Sequence, residues 1–103
     1  MQERSIPEAA LRDENSVEML RVWIAEKKLH CSMKVGMYEE TMNIPEEVAW
    51  GTILADVARH LANALHQRYG HDTSTALRRV SDKFLDEVDK STSPARGAFI
   101  SKQ

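Results

Sequence analysis

Apolar and polar positions alternate with period two across residues 17–38. In VEMLRVWIA, Leu20, Val22 and Ile24 alternate with Met19, Arg21 and Trp23. In LHCSMKVGMY, Leu29, Cys31, Met33, Val35 and Met37 alternate with His30, Ser32 and Lys34. Period two is the signature of a strand with one covered face, and two such runs in succession predict a β-hairpin. With Lys27-Lys28 at the tip, Ile24 would meet Cys31, Val22 would meet Met33 and Leu20 would meet Val35, so each apolar residue faces another. Glu26-Lys27-Lys28-Leu29 lacks the Gly or Asn that a two-residue primed turn prefers, and a four-residue loop closed by Ala25 and His30 keeps the same register.

From Asn43 to Tyr69 the period becomes helical. Trp50, Ile53, Leu54, Val57, Leu61, Ala64 and Leu65 recur at three- and four-residue spacing and form one apolar stripe. Asn43 with Glu46 three residues later, Pro45 in the first turn, and Glu46-Glu47 near the positive end of the dipole mark the start; Gly70 marks the stop. A second helix is predicted from about Thr73 to Lys90, capped by Asp72 or Thr73, with Leu77, Val80, Phe84 and Val88 on one face. The short join through Gly70-His71-Asp72 favours antiparallel neighbours. The expected fold class is α+β: a two-layer β-hairpin, extended to a larger antiparallel sheet if the chain dimerises, packed on an α-helical hairpin.

Residues 1–16 and 91–103 lack a long apolar period and read as mobile tails flanking a single α+β domain at 17–90, although Ser5 and Glu8 are spaced for one capped helical turn. The chain has 103 residues, 42% hydrophobic and 29% charged, a composition suited to one globular domain and too short for two. No apolar run approaches the roughly 18–20 residues of a membrane span, and the first twenty residues carry acidic side chains where a secretory signal would be apolar, so a cytoplasmic protein without membrane association is expected. The formal net charge is −2 and no segment is strongly basic, which makes nucleic acid an unexpected partner. The single cysteine, Cys31, forms no internal disulfide and no zinc-finger spacing exists. No cofactor, metal site or catalytic residue is expected.

Two strands alone leave two open edges, and an isolated hairpin covers little of a long helix. A homodimer is therefore expected, because association enlarges a marginal core.

The stretches MLRVWIAEKKLHCSMKVGMYEE and EEVAWGTILADVARHLANAL resemble a family of short proteobacterial proteins known as a domain of unknown function. The residues that carry this are Leu20, Val22, Trp23, Ile24, Leu29, His30, Cys31, Gly36 and Tyr38, then Ala49, Trp50, Gly51, Leu54, Asp56, Ala58, Arg59 and His60. Lys27-Lys28 departs from the glycine-containing tip expected in such relatives. The resemblance implies the segment boundaries and no reaction, ligand or partner.

Two polar groups are candidate sites. Asp56 and His60, four apart on one helix, share a face; with His30 they would line a sheet–helix pocket for a small molecule or metal. No nucleophile stands beside them at a motif spacing, and a surface ion pair is the simpler account. Trp23, Arg21 and Tyr38 lie on the face of the hairpin expected to point outward, and are residue types favoured at protein interfaces. Cys31 reads as a small core hydrophobe. The reading that follows is a homodimeric protein-interaction or regulatory module; the alternative is the Asp56–His60 pocket.

Overall fold

The computed structural model describes residues 1–90, so the C-terminal segment read as a tail lies outside the described residues. The element order is α1 (Glu8–Arg12), β1 (Leu20–Ala25), β2 (Lys28–Met33), α2 (Met37–Thr41), α3 (Glu46–Tyr69) and α4 (Thr73–Asp89). The class is α+β, a two-stranded antiparallel hairpin plus helices. The chain divides into two compact units, with the boundary between Lys34 and Val35, inside the span read as one domain.

In the first unit, α1 replaces part of the expected N-terminal tail. Pro7 sets its start, its carbonyl accepting from Ala10 N at 3.0 Å and Leu11 N at 3.3 Å, with no side-chain cap from Ser5. The Ser16 hydroxyl donates to Ala10 O at 2.9 Å and folds the following turn back on the helix.

The hairpin forms in a register two residues away from the expected one. Ile24 pairs with Leu29, Val22 with Cys31 and Leu20 with Met33. The turn is the two-residue kind, with Glu26 at φ 53° and Lys27 at φ 64°. That left-handed pair matches the twist of the strands, at roughly 1–2 kcal/mol per non-glycine residue. The expected register would have required β2 to run on through Val35; instead Gly36 adopts φ 113°, a conformation that suits glycine, and the chain turns into α2. Met37 and Tyr38, read as the end of a strand, are therefore helical. A two-residue shift preserves the side-chain faces, so Leu20, Val22 and Ile24 still share one with Leu29, Cys31 and Met33.

Neither face is uniformly covered, for Leu20, Cys31 and Met33 on the apolar face are half-buried. Val22 and Ile24 are 50% and 75% exposed, whereas Arg21, Trp23 and His30 are half-buried. The N-terminal segment accounts for the Arg21–Trp23 side, because residues 2–7, Ala10 and Leu11 line an open groove of about 600 Å³ with Leu20, Arg21, Val22 and Trp23.

In the second unit, α2 packs on α3 and α3 on α4. The helix α3 begins at Glu46, not at Asn43, which takes φ 55°. It ends where expected, at Gly70 with φ 75°, whose N–H donates to His66 O at 2.8 Å. Asp72, one of the two expected caps, caps α4 by accepting from Thr75 N and Thr75 Oγ1, both at 2.9 Å. These bonds, the backbone one first, hold its carboxyl below the usual range.

Among the described residues only Ala49, Ala62 and Ala76 are buried. No described helix is long and apolar enough to cross a membrane. The open space beside Gly51 gives a direct test of helix propensity: nothing lies within 4 Å of where its Cβ would stand. Gly51→Ala is expected to raise unfolding stability by about 0.5–1 kcal/mol, measured by chemical denaturation.

Candidate functional site

The polar centre of the second unit is Glu46, the first residue of α3. Its Oε2 accepts from Gly36 N at 2.9 Å and from Trp50 Nε1 at 3.1 Å, and its Oε1 accepts from Glu39 N at 3.0 Å. In return Glu46 N donates to Glu39 Oε1 at 3.3 Å. One carboxylate thus gathers the start of α2, the first turn of α3 and an indole one turn further on. The reason is elementary: helix starts leave N–H groups without intrahelical acceptors, and an anion satisfies several of them at once. The bonds from Gly36 and then Glu39 hold the Glu46 carboxyl below its ordinary range, with Trp50 adding to them against a smaller desolvation effect. The Glu46–Asn43 spacing had suggested a reciprocal cap with Asn43; the acceptor serves Gly36 and Glu39 instead, residues the pattern had placed in or after a strand. The sequence signal that could have located this node is Glu46 four residues before Trp50, a helical i, i+4 pair.

Arg21 lies in the first unit. Its guanidinium meets Glu18 at 2.9 Å and Glu3 at 2.7 Å, hydrogen bonds that hold its pKa above the ordinary value, with Glu18 the larger cause. Trp23 lines the N-terminal groove beside it. Tyr38 lies in the second unit, half-buried in α2, where its carbonyl accepts from Met42 N and Ile44 N. The structure therefore brings Arg21 and Trp23 together under residues 2–7 and assigns Tyr38 to a helix.

The second group is similarly distributed. Asp56 forms an ion pair with Arg59 on the exposed surface of α3. His60 is exposed on the same helix, while His30 belongs to the first unit, where its Nε2 lies 3.2 Å from Ala25 O. No group of three or more His, Cys, Asp or Glu among the described residues is placed to hold a metal ion. The chemistry on display is therefore anion capture by backbone N–H groups and surface ion pairing. Neither arrangement activates a nucleophile.

Two outcomes follow. Glu46→Gln keeps the shape and removes the charge, so it is expected to lower stability at neutral pH and to shift Trp50 fluorescence. Since the folded carboxyl has a depressed pKa, its stabilising contribution is present above the unfolded pKa and disappears as pH falls through the folded value. The difference between wild type and Glu46→Gln should accordingly shrink below about pH 4, in thermal melts recorded as a function of pH. Asp56→Ala, which removes an exposed i, i+3 pair, should change stability by no more than about 0.5 kcal/mol in the same melts.

Comparison with known proteins places the chain. No curated protein matches it. One similar solved structure is that of "a putative pyruvate dehydrogenase from the photosynthetic bacterium Rhodopseudomonas palustrus CGA009", with 22% sequence identity, a TM-score of 0.64, and coverage of 92% of this chain and 91% of that one. At this identity the likeness is one of fold. Residues 3–92 match the family model for the Domain of unknown function (DUF5076), a span that takes in every described element from α1 to α4. The chain is a member of the DUF5076 family.

Proposed function

We propose that this chain is a homodimeric protein-interaction or regulatory module. The observation that carries the reading is the imbalance between what is buried and what is left open. The buried residues among those described are three alanines, whereas Leu54, Val57, Leu61, Phe84 and Val88 of the two long helices, and Val22 and Ile24 of the hairpin, stand between 39% and 75% exposed. Covering one Leu, Val or Phe side chain is worth about 1.5–3 kcal/mol, the scale on which a small domain's whole stability rests. Exposed apolar side chains in each unit are what a partner surface would cover, and this supports the reading.

The ligand-pocket reading has less in its favour. Asp56 is engaged by Arg59, and the groove of about 600 Å³ is built from residues 2–23, without Asp56, His60 or His30. That groove sets apolar Ile6, Pro7, Leu11 and Trp23 beside charged Glu3, Arg4, Glu18 and Arg21, a mixture that suits a protein partner.

Sedimentation equilibrium at micromolar concentration is expected to return twice the chain mass of 11.7 kDa, with a melting temperature that rises with protein concentration. A monomer mass with a concentration-independent melt would overturn the reading, since the apolar faces would then be closed within one chain.

A further inference from the structure

The long helix α3 carries a pattern that says how two copies would meet. Glu47, Trp50, Leu54, Val57, Leu61, Ala64 and Arg68 follow one another at spacings of three and four residues without a break, the heptad spacing of a coiled-coil seam. The line is open to solvent: Leu54, Val57 and Leu61 are 39%, 50% and 44% exposed, Glu47, Ala64 and Arg68 are exposed, and only Trp50 is half-buried. Its chemistry is also symmetric about Val57. Counting outward, Leu54 corresponds to Leu61, the large Trp50 to the small Ala64, and the acidic Glu47 to the basic Arg68.

That symmetry identifies the occupant. If a second helix of the same sequence lies antiparallel with a twofold axis at Val57, leucine meets leucine, the indole finds room over an alanine, and each end of the seam closes with opposite charges. A parallel alignment would set Glu47 against Glu47 and Arg68 against Arg68, and would stack two indoles at one level. The antiparallel pair also places the acidic first turn of one helix, Glu46 and Glu47, beside the basic last turn of the other, His66 and Arg68. Twofold contacts are self-complementary, and a seam whose two halves complement each other is what such a contact needs.

We infer that α3 is the dimerisation element of this protein, pairing antiparallel with α3 of a second copy along the Glu47–Arg68 seam. This rests on the homodimer proposed above and adds the interface and its orientation.

Charge exchange tests it. In a dimer of Glu47→Arg chains, Arg faces Arg at both ends of the seam; in a dimer of Arg68→Glu chains, Glu faces Glu. Each variant alone should dimerise about tenfold more weakly than wild type. Mixed together, they restore both opposite-charge pairs, so native mass spectrometry should show the heterodimer in excess of the statistical proportion. The chain carrying both substitutions should return to within about threefold of wild-type affinity. Both sites are exposed on α3, and circular dichroism confirms that each variant is folded. Should either fail to fold, Val57→Cys in a Cys31→Ala background is the deciding measurement: a cysteine at the axis should oxidise rapidly to a disulfide-linked dimer. A statistical mixture with no rescue, or no self-crosslink at Val57, from a wild-type protein that is itself dimeric would overturn the seam and leave the homodimer standing. A monomeric wild type would overturn both.

Discussion

The shortage of buried apolar side chains governs this structure. Ala49, Ala62 and Ala76 are closed off among the described residues, and each brings one methyl group to the interior. Small residues let helices approach, but they bury little area and so supply little of the hydrophobic free energy that must offset chain entropy. Order in the second unit is therefore carried to an unusual degree by helix geometry and end satisfaction. The left-handed Gly70 stops α3, Asp72 caps α4, and Glu46 ties α2 to α3.

Glu46 matters out of proportion to its exposure because its partners are backbone groups. Gly36 and Glu39 present N–H groups that a five-residue helix cannot satisfy internally, and one carboxylate supplies both acceptors while also receiving the Trp50 indole. The indole bond holds the ring of Trp50 one turn beyond Glu46 on the long helix, next to exposed Leu54, Val57 and Leu61. An electrostatic node at one end of α3 and an apolar seam along its length thus lie on a single element. The first unit follows another logic. There Arg21 on the polar face of the hairpin is held by Glu3 and Glu18, while on the apolar face Val22 and Ile24 stay exposed.

Local chemistry made much of the architecture legible. Period two located the hairpin and period 3.6 located both long helices, since side-chain burial repeats with backbone geometry. Gly70 and Asp72 marked ends correctly because caps depend on residues adjacent in the chain. The misreadings have one origin. The register of β1 and β2, the conversion of Met37–Thr41 into a helix, and the burial of Trp23 all hinge on how separate segments compete for the same backbone groups or the same face. Val35 and Met37 continue the alternation perfectly well; nothing in the alternation says that Gly36 turns the chain and Glu46 captures its N–H ten residues later.

By itself the sequence determined the class of the fold, the identity of the long helices, the stop at Gly70 and the strand faces, because each depends on periodicity or on neighbours within a few residues. It also contains the symmetry of the α3 seam, which is a property of spacing alone. Tertiary structure decided the two-residue turn and its register, the capture of the Gly36 and Glu39 N–H groups by Glu46, and the covering of Arg21 and Trp23 by residues 2–7. Above all it decided which apolar residues stay exposed, because exposure depends on what packs against a side chain, and that is settled by residues distant in the chain.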